Sequence, residues 1–196
     1  MDKDGTLIPD IPFNVNPALI TISRETIETV RWIREQGYQL IIVSNQPGIA
    51  RGYFTDEQLM AVWEKINELL ADEGLFADAF YYCPHDSAAS LGTENILCEC
   101  RKPKPGMLLE AAADFDLDLR ECWMVGDILH DVEAGNRAVC RTVLLDNGNE
   151  TEWKMSPWRR PDYTITSIRE LKHLIAQHIA NEKKEYNLQG DHQPVP

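Results

Sequence analysis

The sequence has no apolar run of membrane-spanning length, little positive charge, no internal repeat and only five cysteines, and each shortage excludes a class of protein. Its longest apolar stretches, such as Leu40 to Val43, are strand-sized, far below the roughly 20 residues needed to cross a bilayer. No membrane association is expected. Nineteen basic against 32 acidic residues give a formal charge of -13, the wrong sign for affinity built on many phosphate-backbone contacts, so nucleic acid is not an expected partner. The opening residues lack a basic stretch followed by an apolar run, which points to the cytoplasm. Cysteines stay reduced there, so a cluster of them reads as metal-binding rather than as a disulfide framework.

What is present suits one compact unit: 196 residues, 43% of them hydrophobic, can fill a single core. Apolar residues at Ile27, Val30 and Ile33, followed by Gly37, predict an amphipathic helix. Gln39 to Ser44 is a β-branched run of the kind found in an interior parallel strand. Thr55 and Gln58 form a capping-box pair at the head of a helix predicted to reach about Glu73. Strands are predicted at Ala79 to Cys83, Cys122 to Gly126, Arg141 to Leu145 and Tyr163 to Thr166. Helices are predicted over Gly106 to Asp114, His130 to Ala138 and Ile168 to Ile179. This alternation argues for an α/β fold, an open and mainly parallel doubly wound sheet with helices on both faces and a site at the carboxyl ends of its strands. Residues 1–180 are expected to form one domain, and the polar residues 181–196 a disordered tail.

Asp2-Lys3-Asp4-Gly5-Thr6 sets two carboxylates two residues apart before a glycine, a geometry that can aim both at one metal and one phosphorus. Alone, the string could equally be a solvated turn or a fragment of a calcium loop. Its company decides: Ser44-Asn45-Gln46 directly after one buried strand, Lys102 in Arg101-Lys102-Pro103-Lys104-Pro105, and Gly126-Asp127 directly after another, with Asp131 four residues on. In this order the set resembles the four motifs of the haloacid dehalogenase (HAD) superfamily of phosphatases. The resemblance implies Asp2 as nucleophile, forming an aspartyl phosphate, and Asp4 as general acid and base. It also implies catalytic Mg²⁺ on Asp2, the Asp4 carbonyl and Asp127. Thr6, Ser44, Asn45 and Lys102 match phosphate-binding positions, and Thr6 and Gly5 also shape the turn. For Asp131 two readings stand side by side, support of the metal shell or a helix N-terminal acid.

Cys83-Pro84-His85 and Cys98-Glu99-Cys100 offer one imidazole and three thiolates in two tight pairs, a filled tetrahedral set for structural Zn²⁺ within a loop over 83–105. With the nucleophile motif, Ser44 to Gly52 and Cys98 to Met107, they resemble the family of D-glycero-D-manno-heptose 1,7-bisphosphate phosphatases and the related histidinol-phosphate phosphatases. That resemblance implies a small sugar phosphate as substrate, no large cap domain, and Arg51 and Arg101 at positions that meet the substrate's phosphates; a monomer is expected. The chain departs from it twice. Ile128 stands where the heptose enzymes carry a lysine, and only Met1 precedes Asp2 where the family has an apolar strand, so the central strand is expected to be truncated and the sheet weakened. Two other readings are a zinc-stapled binding protein with an impaired site and a polynucleotide end phosphatase, the latter disfavoured by the charge balance.

Overall fold

The computed structural model describes residues 1–86 and 98–190, with side chains up to residue 184. The elements are α1 (Arg24–Glu35), β1 (Ile41–Asn45), α2 (Asp56–Ala71), β2 (Ala79–Cys83), α3 (Gly106–Phe115), β3 (Trp123–Gly126), α4 (Leu129–Arg137), β4 (Arg141–Leu145), β5 (Tyr163–Ile165) and α5 (Glu170–Gly190). All strand pairs are parallel, β1 with β2, and β3 with β4 and β4 with β5. The expected α/β architecture is present.

Local chemistry explains where the helices begin. The Ser23 side chain accepts from the Thr26 N–H to start α1, and Thr55 and Gln58 form the expected capping box on α2. Strand periodicity then divides the core. Ile42, Val125 and Val143 turn to one face with Val30, Ile33, Val62, Ile66, Leu171 and Ile175, so α1, α2 and α5 cover that side. Val43 and Met124 turn to the other with Met107 of α3 and with Ala138 and Cys140 flanking α4.

Met1 and Asp2 lie between the two groups of strands. The Met1 ammonium donates to the Ile41 carbonyl at 2.7 Å, the Val43 N–H to the Met1 carbonyl at 2.9 Å, and the Asp2 N–H to the Val125 carbonyl at 2.8 Å. Two residues thus join the β1–β2 pair, through Ile41 and Val43, to the β3–β4–β5 sheet, through Val125. Asp2 is thereby held rather than left loose, against the expectation behind the impaired binding-protein reading. Toward the amino ends the two parts are separated by a cavity of about 420 Å³ whose lining includes Met1, Ile41, Trp123, Val125, Cys140 and Ile175. Burial, reinforced by the nearby Lys102 charge, lowers the Met1 ammonium to about 6.

The boundary expected at residue 181 falls inside a helix. Helix α5 continues to Gly190, helped by the 2.8 Å His178–Glu182 pair and by Glu and Lys residues that lose little freedom in a helix. Residues 191–196 lie outside the described residues, as does most of the segment between the two halves of the Cys/His cluster.

The cavity prolongs the line of Met1 between two unpaired strand edges. Adding four β-branched apolar residues before Met1 should therefore fill it and convert the buried ammonium to an amide. Burial at about 0.8 kcal/mol per CH₂ outweighs ordering at about 1–2 kcal/mol per residue. A rise in Tm of at least several degrees is expected at roughly 2–4 °C per kcal/mol for a domain of this size. An unchanged Tm would show that the slot does not accept a strand.

Candidate active site

The carboxyl ends of β1 and β3 and the Asp2 to Thr6 turn converge on a cleft of about 270 Å³. It is lined by Asp2, Lys3, Asp4, Ser44, Asn45, Gln46, Lys102, Asp127 and Asn149 among others, with Ile11 and Phe13 on its rim. The turn requires Gly5, which has φ +79°. A Cβ there would sit 2.0 Å from Asp127 Oδ2, a distance no side chain tolerates.

Asp2, Asp127 and Asp131 are all buried, and one oxygen from each lies within 4.8 Å of the others. Lys102, 3% exposed, donates through Nζ to Asp2 Oδ1 and to the Val43 carbonyl at 3.0 Å, and is ion-paired with Asp131 Oδ1 at 2.6 Å. Burial alone would lower its pKa, but Asp131 and Asp2 hold it well above the ordinary lysine value. Three carboxylates against one ammonium leave a formal charge of -3 + 1 = -2 when all are ionised. Burial, and then the Asp2 charge, push Asp127 up to about 7. A buried oxygen cluster with a deficit of two positive charges fits a hard divalent cation.

Asp131 carries both features that the sequence left open. Its Oδ2 accepts from the Ile128 N–H at 3.3 Å at the head of α4, and its Oδ1 faces Lys102 beside Asp2. Asp4 sits across the cleft, paired with Lys3 Nζ at 2.8 Å and accepting from Gln46 Nε2 at 2.9 Å and Ser44 Oγ at 3.5 Å. Burial raises its pKa, with Lys3 acting in the opposite direction. Thr6 Oγ1 donates to Asp127 Oδ1 at 3.3 Å.

Some residues singled out from the sequence are placed differently from the simplest expectation. Asn45 gives Nδ2 to the Lys102 carbonyl and accepts the Lys102 N–H on Oδ1, both at 2.9 Å. It is a clamp on the lysine loop as much as part of the cleft wall. Arg51 forms a two-pronged pair with Asp86 at 2.6 and 3.0 Å, and its guanidinium lies over the Phe13 ring. Arg101 donates to the His85 carbonyl at 2.9 Å. Neither arginine lines the cleft.

Three contributors escaped the sequence reading: Lys3, Gln46 and Asn149. The first two lie inside quoted motifs, and burial was the missing signal. Asn149 lies 22 positions from its partner Asp127, beyond the reach of any local pattern.

Cys83, His85, Cys98 and Cys100 come together in a separate cluster. Cys83 Sγ is 3.7 Å from Cys98 Sγ and 3.5 Å from His85 Nδ1, and His85 Nδ1 is 3.3 Å from Cys100 Sγ. Bonds of about 2.3 Å to one tetrahedral ion would separate two sulfurs by about 3.8 Å. The donor set and the Cys83–Cys98 separation fit zinc, while Cys100 Sγ lies closer to Cys83 Sγ, at 3.1 Å.

Residues 99–171 match the HAD-hydrolase-like family model. The D-glycero-beta-D-manno-heptose-1,7-bisphosphate 7-phosphatase of Pasteurella multocida is 38% identical over 177 residues, covering 89% of this chain and 94% of that one. The chain belongs to this phosphatase family. The Escherichia coli K12 relative of the same name is 33% identical over 165 residues, covering 80% and 86% of the two chains.

Solved structures agree. The D,D-heptose 1,7-bisphosphate phosphatase of B. bronchiseptica, complexed with magnesium and phosphate, has a TM-score of 0.73 at 26% identity, with 90% of this chain and 96% of that one covered. A HAD-like phosphatase from Mesorhizobium loti has a TM-score of 0.74 at 33% identity, covering 88% and 82%. The protein is thus a phosphatase of the HAD type, with parallel strands and no large cap domain among the described residues. No helix among the described residues is long and apolar enough to cross a membrane.

Proposed function

We propose that this phosphatase removes the 7-phosphate of D-glycero-D-manno-heptose 1,7-bisphosphate. Two things support the reading: kinship with enzymes of that name, and the observation that carries it, the buried Asp2–Lys102–Asp131 chain beside Asp127 and opposite Asp4.

Asp2 attacks phosphorus while Lys102 fixes one of its oxygens and offers positive charge to the transferring group. Asp4, with its raised pKa, holds the proton that the departing alkoxide takes; the same carboxylate then accepts a proton from the water that hydrolyses the aspartyl phosphate. Ser44 and the remaining N–H of Asn45 supply neutral donors to the phosphoryl oxygens. Asp2, the Asp4 carbonyl and Asp127 would hold Mg²⁺, with Asp131 in support. That ion would neutralise charge on the phosphoryl group. Zn²⁺ in the Cys83–His85–Cys98–Cys100 cage is structural, because four protein donors leave no position for water.

A second substrate reading, histidinol phosphate, is favoured by one observation: Arg51 and Arg101, expected to meet substrate phosphates, are engaged by Asp86 and by the His85 carbonyl. The deciding experiment measures Mg²⁺-dependent phosphate release from heptose 1,7-bisphosphate, fructose 1,6-bisphosphate, histidinol phosphate and a DNA 3′-phosphate. Preference for the heptose ester by at least tenfold in kcat/KM is expected, with activity lost in Asp2→Asn. Preference for histidinol phosphate would select the second reading, and turnover that survives Asp2→Asn would refute the nucleophile assignment.

Because Lys3 opposes the upward shift of Asp4, removing it should keep the acid protonated to higher pH. Lys3→Met should therefore move the alkaline limb of the kcat profile upward. A fixed or downward-moving limb would argue against Asp4 as the acid.

Metal analysis reads the cage. One zinc per chain is expected in the wild type and none in Cys98→Ser, with a lower Tm in the variant; a zinc-free wild type of equal stability would count against a structural ion.

A further inference from the structure

The segment after β4 lies outside the four motifs, yet it touches the site at three places. Asn147 Nδ2 donates to the Gly5 carbonyl at 2.7 Å, in the turn that carries Asp2 and Asp4. Asn149 Nδ2 donates to Asp127 Oδ2 at 2.7 Å. The Leu129 N–H at the first turn of α4 donates to Glu150 Oε2 at 2.7 Å. The loop is folded for this purpose: Asn147 Oδ1 accepts the Asn149 N–H at 3.2 Å, and Glu150 Oε1 accepts the Glu152 N–H at 2.7 Å.

We propose that Asn149 is a positioning residue, one that fixes the Asp127 carboxylate in the orientation a divalent cation requires. The inference rests on the cation site described above. Lys102 pairs with Asp2 and Asp131, whereas Asp127, among the described residues, receives only neutral side-chain donors, Thr6 on Oδ1 and Asn149 on Oδ2. A neutral donor can orient a carboxylate without cancelling the charge on which the cation depends; a second lysine would cancel it. The contact also uses the space that Gly5 leaves open, since a Cβ there would lie 2.5 Å from Asn149 Nδ2 as well as 2.0 Å from Asp127 Oδ2. Gly5, Asp127 and Asn149 therefore form one interlocked unit drawn from three distant stretches of sequence.

Calorimetric titration of the zinc-loaded, substrate-free protein with Mg²⁺ tests this directly, with Mn²⁺ paramagnetic resonance as a second readout. Asn149→Ala and the nearly isosteric Asn149→Leu should each weaken cation binding on the order of tenfold, while zinc content and circular dichroism stay those of the wild type. Asn147→Ala removes a loop anchor without touching the carboxylate and should weaken binding far less. Unchanged affinity in both Asn149 variants would overturn the proposal. So would an equal loss in Asn147→Ala, because loop packing rather than the amide contact would then be responsible. If the wild type itself binds no divalent cation and Asp127→Asn changes nothing, the cation site and this inference fall together; wild-type binding with unaffected Asn149 variants removes the inference alone.

Discussion

The Lys102 ammonium, buried between Asp2 and Asp131, is the interaction on which the site depends. Three carboxylates cannot share one dry corner of a protein without compensation, because burial penalises each charge and each repels the others. One lysine supplies part of that compensation and leaves the rest to a cation. Much nearby detail serves this lysine. Asn45 fastens its backbone on both sides, and the Val43 carbonyl takes one of its protons. Removing the ammonium would leave two carboxylates buried side by side, so the same contact that equips the site for phosphoryl transfer also permits the fold to bury it.

The strand ends explain why these groups meet. Parallel strands with helical crossovers bring loops from separate parts of the chain to one edge, and here that edge collects Asp2, Ser44, Asp127 and Asn149. Met1 and Asp2 form the seam of the sheet, bonding to β1 on one side and β3 on the other. The catalytic turn is therefore anchored at the point where pairing is complete. The cavity beside Met1, Ile41 and Trp123 lies toward the opposite, amino-terminal ends of the strands, away from the carboxylates.

Much of the fold and site was legible in the sequence because it depends on local periodicity and short spacing. The capping box of Thr55 and Gln58, the β-branched run that became β1, and the paired Cys/His motifs all act over a few residues. Other features depend on distance. Polar composition after residue 180 suggested a tail, but helix propensity and the His178–Glu182 pair carry α5 on to Gly190. Arg51 was expected to meet the substrate's phosphates, yet it is engaged by Asp86, 35 positions away.

By itself, the sequence determined the alternation of strands and helices, the order of the four motifs and the donor chemistry of the cysteine cluster, since each is written in neighbouring residues. Tertiary structure alone decided which carboxylates share a lysine, that Asn45 grips the Lys102 backbone, and that Asn149 meets Asp127 through the space above Gly5. Those contacts join segments tens to more than a hundred residues apart. Their energies exist only once the chain has excluded water from between them, and no local pattern records that.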